Sequence, residues 1–297
     1  MNNTACQQQG VVLIGVLIVV ALISAITALI WQQQHKNFQT VKYTQTQTQA
    51  LNYLYSMESW AKVILLNDKK TNIDALDEDW ASEIPPIPIP GGQIHGKIND
   101  LQAKLSINNI VNTKKPNNIV FNNAFSLCLN RLNEQLEQVQ MSDLIFAYIT
   151  ELLSDTPTLA FKFKHISELK NIVGMQRQEY YNISPYLNAL PKDTPININT
   201  AGKEILSCLH PGLSEYSVEA LIAERPFSSP EEVLKWLPNI LPNNMVNENT
   251  FPKSLRATNS KYFLLESSVK INEDTLNAKT IFHRNGAKID IVNRSYY

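Results

Sequence analysis

The densest grouping of side chains able to do chemistry is acidic: Asp68, Asp74, Asp77, Glu78 and Asp79 fall within a few turns of chain. Carboxylates this close can hold a divalent cation or exchange protons. A calcium loop of the EF-hand type needs a D-x-D-x-D-G order, and the sequence has none. The cluster therefore reads as a solvated acidic face, with Trp80 beside it as a core anchor. The 5 histidines are scattered and form no HExxH pair, no GxSxG elbow presents a serine, and no CxxC pair offers a zinc site. His165 and His210 read as structural or solvent-facing. No active site is visible, so the chain does not read as an enzyme.

The elements that carry these residues follow from composition and periodicity. The 297 residues are 44% hydrophobic and 18% charged, with a formal net charge of -1. That is enough apolar material for a sizeable core and too little charge for disorder. A nucleic-acid binder working by bulk charge would be strongly basic. From Val11 to Ile30 the chain is apolar apart from Gly15, Ser24 and Thr27. Roughly 20 helical residues span about 30 Å, the thickness of a bilayer core. Trp31 follows at the expected interface, and the run is longer than a cleaved signal's. The reading is a transmembrane anchor over 11–31, ahead of a removed signal or a buried soluble helix. Lys36 and Lys42 follow the run and no cation precedes it, so charge alone does not orient it.

No Pro or Gly interrupts the chain between Val16 and Pro85, and Phe38, Val41, Leu51, Leu54, Tyr55, Ala61, Ile64 and Leu65 keep a near-helical period. One helix over 11–66, roughly 80 Å long, is expected. Pro85 to Pro90 reads as an extended connector entering a turn at Gly91 and Gly92. Ile94, Gly96 and Ile98 then alternate with His95 and Lys97, which predicts a strand buried on one face, with Gly96 admitting close approach of another backbone. The middle of the chain, from about Asn117 to Asn244, reads as helical, with helices over Phe121 to Gln140, Asp143 to Leu153 and Glu231 to Leu237. Two segments resemble helix-hairpin-helix elements: Ile166 to Met175, turning at Gly174, and Ile196 to Leu209, followed by Pro211-Gly212-Leu213.

The start of the chain resembles a pilin-like precursor: a short polar leader ends at Gly10, directly before the apolar run. A prepilin peptidase would cut between Gly10 and Val11, and Val11 would be N-methylated. Major pilins carry Glu at the fifth mature position, where this chain has Gly15. Further landmarks are more specific. Leu76 to Ala81 reads LDEDWA, with Asp77, Glu78 and Trp80 as the distinctive residues. Residues 91–102 read GGQIHGKINDLQ, which sets Gly91, Gly92, Gly96, Asp100, Leu101 and Gln102, and the tetrad INNI follows with Asn108 and Asn109. Glu168 to Met175, the ININ-Thr-Ala segment with Asn197, Asn199 and Thr200, and Ser260 to Phe263 come after in the same order. Together these resemble the general secretion pathway protein K family, the large minor pseudopilins of type II secretion systems. The family usually has Gly-Arg-Phe-Asn where this chain has Ala103 to Ser106, and the leader lacks the usual basic residues.

The resemblance implies an α+β, type IV pilin-like fold: a long N-terminal helix packed on an antiparallel sheet, with a large inserted all-α domain. The expected division is a leader over 1–10, the helix over 11–66, a first β portion over 67–113, the insert over 114–245 and a second β portion over 246–297. The implied function is assembly with minor pseudopilins I and J, and with H as a further neighbour, at the tip of a filament that drives export of folded proteins. The major pseudopilin, the inner membrane and the prepilin peptidase are the other implied partners. The head would lie in the periplasm. Calcium somewhere in the globular domain is also implied, with ligands that one sequence does not place. In an oxidising periplasm Cys128 and Cys208 either pair or remain two buried thiols. A loop of this length contributes about 4 kcal/mol in the chain-entropy model if closed. The rival reading is a membrane-anchored helix-hairpin-helix DNA receptor of an uptake system. Against it, Lys203, Arg225 and Lys235 face six glutamates between Ile196 and Trp236, so no nucleic-acid partner is expected.

Overall fold

The computed structural model describes residues 5–68, 71–110, 124–138, 140–155, 162–242, 245–248 and 250–297. The expected limits of the helical middle at Asn117 and Asn244, the helix start at Phe121 and the 113/114 boundary lie outside them.

One helix, α1 (Ala5–Asn67), runs for 63 residues. The segment from Val12 to Trp31 is long and apolar enough to cross a membrane and is exposed throughout. The head covers the helix only from about Ala50 onward. There Ala50, Leu54, Met57, Ala61 and Leu65, spaced by three or four residues, form the buried stripe. Phe38 and Val41, which share the apolar period, stay exposed because the sheet does not reach them, and Tyr55 stays exposed with Arg294 of the last strand over its ring.

That stripe packs on a five-stranded antiparallel sheet in the order β1 (Ile84–Ile89), β2 (Gly92–Asp100), β7 (Tyr262–Ile271), β8 (Asp274–Asn285), β9 (Lys288–Tyr296). The Pro-rich stretch is thus a strand rather than a connector. It pairs with β2 as an edge, the place where missing N–H donors cost least. Alternation places Ile94 and Ile98, Phe263, Leu265 and Val269, and Ala278 and Phe282 against α1. Gly96 also faces the helix, where an added Cβ would lie 2.9 Å from Met57 Cε. The tightest backbone approach is instead at Gly92, where a Cβ would fall 1.7 Å from the Lys270 carbonyl oxygen.

Between β2 and β7 the chain builds a second core, with buried residues from Leu105 to Leu255, reaching past the expected 114–245 on both sides. Its elements in chain order are β3 (Leu105–Ser106), α2 (Ala124–Gln135), α3 (Met141–Asp155), α4 (Arg177–Ile183), β4 (Leu187–Asn188), β5 (Ile196–Asn197), α5 (Lys203–Leu209), α6 (Glu215–Ala223), α7 (Pro230–Trp236) and β6 (Arg256–Ala257). The short strands form two parallel pairs, β3 with β4 and β5 with β6, which tie both ends of the insert to its middle. Cys128 on α2 and Cys208 on α5 are joined by a disulfide, with Cα atoms 4.5 Å apart. Arg131 adds to the same contact by donating from Nε to the Cys208 carbonyl at 2.6 Å.

Candidate functional site

The residues singled out along the chain do not form one site; apart from the acidic segment with Trp80, Gly96 and the two cysteines, they gather at three places. Gly10, Val11 and Gly15 lie in the N-terminal part of α1. Gly91 and Gly92 turn the chain from β1 into β2. Asp100, Leu101, Gln102, Asn108, Asn109, Asn197, Asn199 and Thr200 converge where the insert leaves and re-enters the sheet. This junction lies beside the C-terminal end of α1.

Asp100, the last residue of β2, points inward and is buried. It accepts from Gln102 N at 2.7 Å, from Asn197 Nδ2 at 3.0 Å, from Thr200 Oγ1 at 2.5 Å and from Ser260 Oγ at 2.6 Å. Burial pushes its pKa up, while the hydroxyl, amide and backbone donors pull it down. Asn197 spreads its amide over three acceptors, the Asp74 carbonyl, Asp100 and Ser260 Oγ, each at 3.0 Å. One carboxylate and one amide thereby join strand β2, the insert at Asn197 and Thr200, and the approach to β7 at Ser260.

The remaining motif side chains stand in for backbone partners that irregular loops cannot supply. Asn108 donates to the Phe163 and Leu190 carbonyls and accepts from Phe163 N. Asn109 bonds Thr194 O and Asp193 N in the same two-sided way. Asn199 accepts from Phe227 N and donates to Phe227 O. Gln102 donates to Pro195 O and accepts from Lys261 N, so it too bridges insert and sheet. These amides hold parts of the fold together and are buried away from any substrate.

The acidic cluster divides. Asp77 and Asp79 face solvent, but Asp68 and Asp74 turn inward and hold Arg284, which stands in the inward register of β8. Arg284 Nη1 donates to Asp68 Oδ2 at 2.9 Å; Nη2 donates to Asp74 Oδ2 and, at 2.8 Å, to the Ser260 carbonyl. Its guanidinium also stacks over Phe263, 5.0 Å from the ring centre. Asp74 Oδ1 has no hydrogen-bond partner among the described residues, and burial pushes the Asp74 carboxyl up to about 7 despite Arg284 and the Ser260 amide. The solvated-face reading fails for these two residues because Arg284, more than 200 positions away, draws them in. Trp80 is a core residue, edge-on to Phe263 at 5.2 Å, and donates from Nε1 to Glu78 at 2.6 Å.

Carboxylate oxygens of Asp68, Asp74 and Glu78 lie within 4.8 Å of one another. They do not fit a calcium ion, because a guanidinium already bonds two of the three and an indole N–H bonds the third. A second ion pair, between buried Glu58 and exposed Arg294, was not visible in the sequence. Glu58 of α1 is held by Arg294 through both carboxylate oxygens at 2.8–3.0 Å and by Thr280 at 2.6 Å. A charged residue in the buried period of α1, and another in the inward register of β8, were the available signals.

Comparison with known proteins places this architecture among secretion components. A family model described as type II secretion system protein K matches residues 196–241, the stretch from β5 through α7. Type II secretion system protein K of Pectobacterium carotovorum subsp. carotovorum is 26% identical, over 98% of this chain and 97% of its own length. The protein K of Pseudomonas aeruginosa is 26% identical over 77% of each. Among solved structures, a chain in the crystal structure of the GspK–GspI–GspJ complex from the enterotoxigenic Escherichia coli type 2 secretion system superposes with a TM-score of 0.70. That match has 24% identity and covers 86% of this chain and 99% of that one, which establishes a shared fold.

Proposed function

Because the chain belongs to the protein K family of type II secretion systems and is built as a minor pseudopilin, we propose that it assembles with minor pseudopilins I and J at the tip of the pseudopilus. Its part there is assembly rather than catalysis. α1 anchors it in the inner membrane, and the head stands in the periplasm.

The observation that carries tip placement is where the insert sits. It rises from the end of β2 and returns at the start of β7, beside the end of α1 farthest from the apolar segment. A pilin-like subunit grows a filament by letting further heads stack above it. This head ends in a second domain instead, and Gly15 offers no carboxylate for a neighbour's amine inside the membrane. The expected result follows from cutting the cap away. Asp100 pairs with Phe263, so a short turn can replace residues 103–258 and leave an uninterrupted sheet. Labelled pseudopili should carry this shortened subunit along their length, whereas the full chain marks only one end. Confinement of the shortened subunit to filament ends would refute the steric account.

Processing gives a second test. In cells with prepilin peptidase, the intact mass should show loss of Met1 to Gly10 and gain of one methyl on Val11; without the enzyme the full-length mass should remain. An uncut chain in both would make α1 a plain anchor.

The DNA-receptor reading is weakened by where the cations of the second hairpin go. Lys203 is paired to Glu219 at 2.7 Å. Arg225 donates to the Ala201 carbonyl at 2.8 Å and is so buried that its pKa falls to about 10. Neither is free for phosphate.

A further inference from the structure

The first hairpin, from Ile166 to Met175, has surroundings that differ from those of the second. A 3-10 turn (Ile166–Asn171) leads through Gly174, with φ +91°, into α4. Between them lies a cleft of about 320 Å³ lined by Lys170, Met175, Gln176, Arg177, Tyr180 and Tyr181.

Two carboxylates lie close in sequence, yet both are committed to backbone. Glu168 accepts from the amides of Lys164 and His165, and Glu179 accepts from Gln176 N at 2.8 Å. Lys170 and Arg177 form no ion pair among the described residues and lie instead on aromatic faces. Lys170 Nζ is 4.6 Å from the Tyr180 ring centre and 5.4 Å from that of Tyr181, and Arg177 is 5.7 Å from Tyr181. A hydrogen bond from Arg177, with Lys170 nearby, holds the Tyr181 hydroxyl below its usual pKa. On the turn between the two cations stands Val173, 91% exposed. Two cations, aromatic walls and a projecting aliphatic side chain, with no anion among the described lining residues, make a receptor that lacks its acid.

We propose that this cleft binds a carboxylate on a segment of another protein, an Asp or Glu side chain flanked by an apolar residue that packs on Val173. Charge favours this occupant. Both cations border one ring, Lys170 at 5.4 Å and Arg177 at 5.7 Å from the centre of Tyr181, and no carboxylate is among the described lining residues. A nucleic-acid backbone needs cations repeated along a track, and the next hairpin's Lys203 and Arg225 are consumed internally. The inference is independent of where the subunit sits in a filament.

The test uses the full chain in detergent micelles and a short fluorescent peptide with an Asp-Leu-Asp centre. Saturable binding is expected, weakened about tenfold by Lys170→Gln and by Arg177→Gln, each of which removes one charge-assisted contact. Val173→Ser should weaken it a few-fold. An Asn-Leu-Asn peptide should fail to compete, and Lys162→Gln, outside the cleft lining, should change nothing. All four substitutions are at exposed positions, and unchanged thermal melting verifies that they fold. The proposal is overturned by absence of saturable binding, by an equal loss in Lys162→Gln, or by free glutamate competing as well as the peptide. Displacement by oligothymidylate at lower concentration than the peptide would also overturn it, in favour of a phosphate ligand.

Discussion

Asp100→Ala is expected to destabilise the head by about 3–5 kcal/mol and to loosen the insert from the sheet. The carboxylate removed is buried and serves four donors drawn from three parts of the chain. A stranded buried donor costs about 1–3 kcal/mol, but the four do not add. Asn197 keeps the Asp74 carbonyl and Ser260 Oγ, and Thr200 can turn back to the Asn197 carbonyl at 3.4 Å. Burial raises the Asp100 pKa, so relief of that burial offsets part of the rest. Asp100→Asn retains the shape and one carbonyl oxygen, and both hydroxyls can rotate to accept from its amide, so a loss of about 1–2 kcal/mol is expected. Denaturant melts of the full chain in detergent give the sizes. Limited proteolysis gives the location: cleavage near Ala103 or Asn259 should quicken in Asp100→Ala well before the sheet core opens. Equal stability of wild type and Asp100→Ala would show that the junction is held by apolar packing alone.

How far these features could be read beforehand depends on the range over which each is determined. α1 was legible because an unbroken apolar run and a 3.6-residue period are local properties. The face of β2 was legible for the same reason, from Ile94, Gly96 and Ile98. The edge strand β1 was not: Pro85, Pro86 and Pro88 are equally compatible with an extended connector, and only the neighbour at β2 makes them a strand. The motif residues were found by resemblance, but their use was hidden, since Asn108 acts on Phe163 and Leu190, and Asn197 acts on Asp74 and Ser260. Such pairings join positions from about 55 to more than 120 apart, and no periodicity encodes them. The cysteines show the same limit: residue type left pairing and two free thiols equally open, and α2 against α5 brings the sulfurs together.

Arg284 is the strongest case of a role set at long range, and Arg284→Met should cost the head about 3–5 kcal/mol at pH 7.5. Methionine can fill the space over Phe263, so packing is largely conserved. The loss is electrostatic, because Asp68 and the fully buried Asp74 are left facing each other with no cation between them. The pH dependence follows from Asp74. Its pKa is raised in the folded protein, to about 7 from an ordinary value near 3.8, so between those limits the native state binds a proton that the unfolded chain does not. Stability therefore falls as pH rises through that window, and is recovered on acidification. Arg284 is the chief group pulling the Asp74 pKa down; without it the carboxyl is held still higher, and acid should restore the variant more than the wild type. Melts of both proteins at pH 5 and pH 7.5 should show the gap narrowing at the lower pH. A gap that stays constant would mean that Arg284 acts by packing on Phe263. Since Ser260 bonds both Asp74 and Asp100 and gives its carbonyl to Arg284, the double variant with Asp100→Ala should lose less than the sum of the two. That shortfall would identify the carboxylates at the end of α1 and at the insert junction as a single buried unit.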